Sequence, residues 1–320
     1  MSQILYMAPI QGITNSTYRN AHSRIFTGYD YCITAFIRSC NIDSPQSRVL
    51  RDLFPARNKA GFKIIPQILS NSPEDFISMA KAIAELGYES VNWNLGCPNK
   101  KVRNKKRGSG LLPYTWQIIE FLDKVIPALP IKISLKVRLG KKDSQELFEL
   151  LPLLKDFPLQ EIIIHPRTGE QLYSGEVDLS AFAQSLSLTK HPVVYNGDID
   201  SLETFKKLSQ RFPNINRWMI GRGGITNPFL AEQIKGLDSG TKKERLGRFI
   251  SFHNELFALY QQELSGPRHI TDKMKEIWEY WVKAFEGGNK LFRAITKVKK
   301  VEQYSVLVEK FFKDQPKLII

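Results

Sequence analysis

Along the chain, short apolar runs alternate with stretches in which apolar residues recur every three or four positions. The runs are Ile4 to Pro9, Tyr29 to Ile37, Lys63 to Leu69, Ser90 to Cys97, Ile131 to Leu139, Glu161 to His165, Pro192 to Asn196 and Arg217 to Ile220. Their length and their β-branched and aromatic content predict strands. Between them, Ser16 to Ile25, Ser72 to Gly87, Tyr114 to Val125, Ser144 to Leu154, Leu179 to Ser187, Ser201 to Arg211 and a stretch from Asn227 predict helices. Ser72-Pro73-Glu74-Asp75 has the form of a helix start, with a cap residue, a proline in the first turn and acids against the dipole. Eight strands alternating with helices, with a longer connection after the second strand, is the pattern of a (β/α)8 TIM barrel in the α/β class. A doubly wound open sheet is the competing arrangement. The barrel is preferred because polar, Gly-rich punctuation falls at nearly every strand's carboxyl end, as a shared catalytic face requires.

Past Leu237 the alternation stops. Asp238-Ser239-Gly240-Thr241 reads as a linker. Leu246, Phe249, Ile250, His253, Leu256, Phe257 and Tyr260 then mark one apolar helix face, Met274, Ile277, Trp278 and Trp281 a second, and Leu291 to Val308 a third helix. The expected organisation is a catalytic barrel over 1–237 and a small all-helical domain over 238–320.

Composition narrows the partners. The 320 residues are 42% hydrophobic, ample for a large core, and 46 Lys and Arg against 32 Asp and Glu leave a net charge of +14. Such a surplus favours a polyanionic partner, though charge alone does not separate RNA from DNA or an anionic membrane. Three cysteines, an odd number with no close pair, argue against a disulfide framework or a tetrahedral zinc site, so no metal is expected. No apolar run approaches a membrane span, and Met1 to Ile10 is too short and lightly charged for a signal peptide. A soluble cytoplasmic protein, off the membrane and without an evident protein partner, is expected.

Candidate chemistry gathers at the strand ends. In Asn94-Leu95-Gly96-Cys97-Pro98 a strand stops abruptly, because Gly96 permits a turn and Pro98 forbids a further ladder bond, and Cys97 is left at its carboxyl end. Gln67, Lys136, His165, Asn196 and Arg222 occupy equivalent places on other strands. Five polar groups at one barrel mouth would be costly as buried orphans and suit a polar ligand. Gly197 and Gly221-Arg222-Gly223-Gly224, at the last two strand-to-helix loops, occupy the usual phosphate position in barrels. Lys100, Lys101, Arg103, Lys105, Lys106 and Arg107 crowd the loop after Cys97, as a solvated face, a phosphate contact or a lid. Lys273 and Lys275 precede Trp278, Tyr280 and Trp281. Lys297, Lys299 and Lys300 form another cluster.

Together these segments resemble the tRNA-dihydrouridine synthase family. The resemblance is carried by Met7-Ala8-Pro9 with Gly12; Asn94-Leu95-Gly96-Cys97-Pro98; Gly108-Ser109 with Leu111-Leu112; Lys136-Val137-Arg138; His165-Pro166-Arg167-Thr168 with Gln171 and Tyr173-Ser174-Gly175; Asn196-Gly197-Asp198; and Met219-Ile220-Gly221-Arg222-Gly223. It implies FMN at the barrel mouth, reduced by NADPH or NADH, and a tRNA substrate. It places Pro9, Ile10 and Gln11 against the isoalloxazine ring, Gln67 and Lys136 at its polar edge, and His165, Asn196, Gly197, Asp198, Gly221 and Arg222 along the ribityl chain and phosphate. Hydride would pass to C6 of a uracil and Cys97 would protonate C5 from the opposite face. Asn94, Arg167, Arg38, Lys273, Lys275 and Tyr280 are the substrate-binding candidates. An extruded base is easiest to obtain from a loop, which favours a D-loop uridine. Cys32 to Arg38 and the helical-domain lysines lean towards the bacterial branch acting on position 16. Asn92 stands where the family often has an acid. A small-molecule FMN barrel reductase of the dihydroorotate or enoate type, a phosphometabolite barrel without flavin, and a non-enzymatic RNA-binding protein are the alternatives.

Overall fold

The computed structural model describes residues 2–42 and 44–320. Met1, at the start of the expected barrel range, lies outside the described residues. Ten strand segments run parallel: β1 (Ile4–Met7), β2 (Tyr31–Ile33), β3 (Ile37–Arg38), β4 (Lys63–Ile65), β5 (Gln67–Leu69), β6 (Ser90–Leu95), β7 (Lys132–Gly140), β8 (Leu159–Thr168), β9 (Val193–Tyr195) and β10 (Arg217–Ile220). Their order is β3-β5-β6-β7-β8-β9-β10-β1-β2-β4. Because β2 and β3 are halves of one strand, and β4 and β5 halves of the next, the two ends of this order are the same pair of strands. The sheet is therefore closed, as an eight-stranded TIM barrel.

The interruptions are where the observed strands differ from the expected continuous runs over 29–37 and 63–69. Pro66 has no N–H to give the ladder, and the chain is re-paired across it by Thr34 N–H donating to Ile65 O and Gln67 N–H donating to the Thr34 hydroxyl. Conversely, β8 extends beyond Glu161 to His165 at both ends. Tyr6, Ala8, Ile33, Ile65, Ile163, Val194 and Met219 fill the barrel interior. A larger cluster, including Trp93, Phe121, Leu135, Ile162 and Leu230, lies between the strands and the surrounding helices.

The C-terminal part is helical. Thr241 opens Lys242–Glu263 with a capping box, and Pro267–Trp281, Gly288–Ile295 and Val301–Lys313 follow. The expected third helix over 291–308 is two, broken between Thr296 and Lys300. These helices share one apolar cluster with the first strand-helix unit: Met7, Tyr18, Phe26 and Cys32 pack with Phe249, Phe252, Trp278 and Trp281. No helix among the described residues is long and apolar enough to cross a membrane.

Candidate active site

At the carboxyl ends of the strands lies a cavity of about 840 Å³. Its wall takes Pro9, Ile10 and Gln11 from beyond β1, Gln67 from β5, Asn94 and Cys97 from β6 and its turn, Lys136 from β7, His165 and Arg167 from β8, Asn196, Gly197 and Asp198 from beyond β9, and Gly221 and Arg222 from beyond β10. All the cofactor-site candidates, the candidate proton donor, Asn94 and Arg167 thus share one cavity.

Cys97 is held through its own backbone. Asn94 Oδ1 accepts from the N–H groups of Gly96 and Cys97, at 3.0 and 2.8 Å. The Cys97 carbonyl accepts from the Ser109 hydroxyl at 3.0 Å and from the Ser109 N–H. Gly108, with φ +57°, lies so close that a Cβ there would come within 2.8 Å of the Cys97 Cβ and carbonyl oxygen. Burial pushes the Cys97 thiol above its ordinary value, against the opposing pull of the Asn99 backbone hydrogen bond and the Arg138, Lys136 and Arg38 charges. The thiol therefore carries its proton at neutral pH.

Facing it, burial lowers the Lys136 ammonium to about 7, helped by the Arg138 charge and opposed by Cys97. No salt bridge reaches Lys136 among the described residues. Burial, followed by the Arg138, Lys136, Arg167 and Arg222 charges, holds His165 neutral, well below its ordinary value. Asp198, at a left-handed φ of +37°, accepts from Arg167 and, at 3.0 Å, from Arg222. Its burial opposes ionisation, but the Arg167 and Arg222 contacts prevail and lower its carboxyl. Asn196 Nδ2 donates to Met219 O at 2.9 Å and ties β9 to β10.

Other candidates lie outside the cavity wall. Arg38 is exposed at the end of β3, and its charge reaches the Cys97 thiol. Lys273 donates to Gly12 O at 2.8 Å and pairs with Glu276 at 2.6 Å, which fastens the helix Pro267–Trp281 to the barrel. Lys275 pairs with Asp272 at 3.0 Å. Tyr280 is half-buried, with Tyr173 and Arg222 among the groups that perturb its hydroxyl. The basic stretch expected as a loop opens instead as a short helix, Lys100–Arg103, capped by Asn99, whose side chain accepts from the Lys101 N–H. Arg103 donates to Pro98 O, Arg107 donates to Asn71 Oδ1 at 2.7 Å, and Lys106 lies 4.3 Å over the Tyr114 ring. Lys100, Lys101 and Lys105 are exposed and without salt bridges among the described residues.

The sequence reading assigned no role to Arg138 or Tyr173, which also line the cavity. Arg138 donates to Gly96 O at 3.1 Å and Thr168 O at 2.7 Å, bracing the Cys97 turn. Strand periodicity could have found it, since it follows Lys136 by two and shares its face. Tyr173 lies on a loop, with Arg138 and Arg222 centred 5.2 and 4.7 Å from its ring, and no periodicity announces it.

Fold and site together are those of a flavin-dependent TIM-barrel oxidoreductase. Among solved structures the chain is similar in fold to histamine dehydrogenase from Rhizobium sp. 4-9 (TM-score 0.57, 12% identity, 77% of this chain and 48% of that one). It is likewise similar to morphinone reductase in complex with tetrahydroNAD (TM-score 0.52, 11% identity, 75% and 89%). The family model for dihydrouridine synthase matches residues 6–315, and the chain belongs to that family. It is 31% identical over 238 residues to tRNA-dihydrouridine synthase B of Pasteurella multocida, covering 73% of this chain and 69% of the relative. With tRNA-dihydrouridine(16) synthase of Shigella flexneri it shares 26% over 296 residues, covering 90% and 92%.

The family's cofactor is FMN, with NAD(P)H as reductant, and the cavity's donors fit it. Lys136, Arg138, Arg167, Arg222 and Lys283 line the wall against two carboxylates, Asp198 and Asp200. The buried Nε of Arg167 has no protein partner. A surplus of cations with an unused donor suits an anionic, phosphorylated ligand.

Proposed function

We propose that this chain reduces uridine 16 in the D-loop of tRNA, with Cys97 as the general acid. FMN, when bound, supplies the hydride chemistry, with Pro9, Ile10 and Gln11 against its ring, Gln67 and Lys136 at the polar edge, and His165, Asn196, Gly197, Asp198, Gly221 and Arg222 around its chain and phosphate. The observation that carries the reading is the Cys97 turn, fixed through its own backbone at the wall of a cavity with surplus positive charge, where burial raises the thiol above its ordinary value. Cys97 Sγ gives its proton to C5 of the uracil as C6 becomes saturated, and recovers it from solvent. Asn94 and Arg167 serve the base and its phosphate. A D-loop nucleotide costs less to extrude than a paired one, and the cavity is large enough to receive a single base. Position 16 is supported by the name of the Shigella flexneri relative, aligned over nearly the whole of both chains.

Outside the cavity, Lys100, Lys101 and Lys105 flank Cys97 and meet backbone phosphates. In the helical part, Lys297, Lys299 and Lys300 are exposed and take the role that Lys273 and Lys275, already paired, fill less well; Arg38 and Tyr280 contact RNA at the rim. The test begins with the protein's absorption spectrum, followed by anaerobic addition of NADPH and then of unmodified tRNA. A flavin spectrum that bleaches and recovers only with tRNA, with dihydrouridine mapped to position 16, is the expected result. Recovery with reduction at another uridine would overturn the position, and a protein that cannot be reconstituted with FMN would overturn the whole reading.

A further inference from the structure

Asn92 is fully buried in β6, outside the cavity wall, yet it joins a chain of hydrogen bonds that ends on the Cys97 backbone. Gln67 Nε2 donates to Asn92 Oδ1 at 2.7 Å, and Asn92 Nδ2 donates to Ser134 Oγ at 2.8 Å. Asn94 Nδ2 donates to Gln67 Oε1 at 2.7 Å, while Asn94 Oδ1 accepts the Gly96 and Cys97 N–H groups. The sense of this chain is fixed from one end. Backbone N–H groups only donate, so Asn94 must present oxygen to them and its amide nitrogen to Gln67. Gln67 must then present oxygen to Asn94 and nitrogen to Asn92, whose oxygen is thereby committed. Turning any one carboxamide sets donor against donor or acceptor against acceptor. Gln67, Asn92 and Ser134 have no accessible surface and Asn94 only 6%, so water cannot relieve the mismatch.

We infer that Asn92 is a positioning residue: its side-chain oxygen sets the orientation of the Gln67 and Asn94 carboxamides and so fixes the turn that carries the Cys97 thiol. The catalytic consequence rests on the reading of Cys97 as proton donor, whereas the positioning itself does not. Asn92 touches neither the cavity nor the reacting atoms. It acts by supplying an acceptor where Gln67 needs one.

A pair of substitutions separates positioning from packing. Asn92→Leu keeps the volume and removes the acceptor. Asn92→Asp keeps the acceptor for Gln67 and can take the Ser134 hydroxyl proton in a second hydrogen bond. If Asn92 merely fills the core, Leu is the milder change and a buried carboxylate the harsher. If it sets the relay, the order reverses. The expected result is a loss in kcat for tRNA reduction on the order of 10²-fold in Asn92→Leu, with KM for tRNA within about twofold, as a thiol displaced by about an ångström would give. Asn92→Asp should stay within about threefold of wild type on both. The second readout is the rate of Cys97 alkylation by iodoacetamide in flavin-free protein, followed by mass spectrometry across pH 7 to 10. A released turn exposes the thiol, so Asn92→Leu should react at least about fivefold faster than wild type, and Asn92→Asp at the wild-type rate. Should Asn92→Leu fail to fold, Asn92→Ser, whose hydroxyl is too short to reach Gln67, takes its place with the same expectations. Equal alkylation in all variants, or Asn92→Asp no better than Asn92→Leu, overturns the inference. If alkylation separates the variants but Cys97→Ala still reduces tRNA, the positioning stands and the proton-donor reading falls.

Discussion

The barrel mouth and the helical C-terminal part are both rich in cations and aromatics, and they use them in opposite ways. At the mouth, five basic side chains line a wall that holds two carboxylates. In the helix Pro267–Trp281 the charges answer one another: Lys273 with Glu276, Lys275 with Asp272, and Arg268 with Asp272. Their histidines differ in the same sense. His165 stays neutral among charges at a cavity wall, whereas His253 is enclosed by Phe257, Trp278 and Tyr304, with its Nε2 2.7 Å from the Tyr304 hydroxyl. What separates a binding site from a basic structural element is an excess of cations over internal counter-groups, which is a property of position and not of composition. At the mouth Arg167 and Arg222 share the one carboxylate of Asp198, and Lys136, Arg138 and Lys283 have no salt bridge among the described residues.

The sharpest way to break this contrast is to remove the one group at the mouth proposed to exchange a proton. Cys97→Ala should lower the rate of tRNA reduction by about 10²–10⁴-fold while the protein still holds FMN, measured by single-turnover reoxidation of the reduced enzyme. Wild-type rates in that variant would remove the thiol from the chemistry. Next in size, Arg222→Ala takes away a cation that faces the cavity and should weaken FMN binding by about 10–100-fold, read by fluorescence titration of apoprotein. Unchanged affinity would show that the surplus charge serves another ligand.

Smaller effects belong to the periphery. Combined replacement of Lys100, Lys101 and Lys105 by Ala should weaken tRNA binding several-fold and flatten the salt dependence by about two to three in slope, at about 0.7–0.9 for each phosphate no longer neutralised. The same test on Lys273 and Lys275, already paired, should change the slope by less than about one. A larger change there than in the loop would invert the comparison. Away from the cavity, burial also holds His22, at about 3, and His253, at about 4, neutral. The unfolded chain takes up these protons from about pH 6.5 downward and the folded one does not, so stability is full above that pH and falls as the pH drops towards 4. Each histidine contributes a slope of up to about 1.4 kcal/mol per pH unit in that window, and His22→Phe, within its aromatic surround, should remove one such contribution from the urea-unfolding pH profile.

The barrel was legible in the sequence because eight apolar runs each end in polar or glycine punctuation, and that punctuation is the site. Pro66 could have announced the break in the third strand, which was expected to be continuous, but nothing in Thr34-Ala35-Phe36 marks the matching break in the second, which arises from pairing across the barrel. Most cavity residues were readable from strand ends. Arg138 was hidden beside Lys136 although period-two spacing puts both on one face, and Tyr173 reaches the mouth from a loop whose path only the folded chain defines. The pairing of Lys273 with Glu276 and of Lys275 with Asp272 was not legible, because a sequence shows charges without their partners.

The near approach of Gly108 to Cys97 has a consequence for how this site can change over time. The loop of free lysines leaves the Cys97 turn and returns to it at Gly108, so its two ends share their footing with the thiol. A lengthened or shortened loop would move the thiol with it. Variation in which tRNAs are accepted therefore has freer play in the side chains along this loop, or in the helical part, than in the number of residues between Pro98 and Gly108.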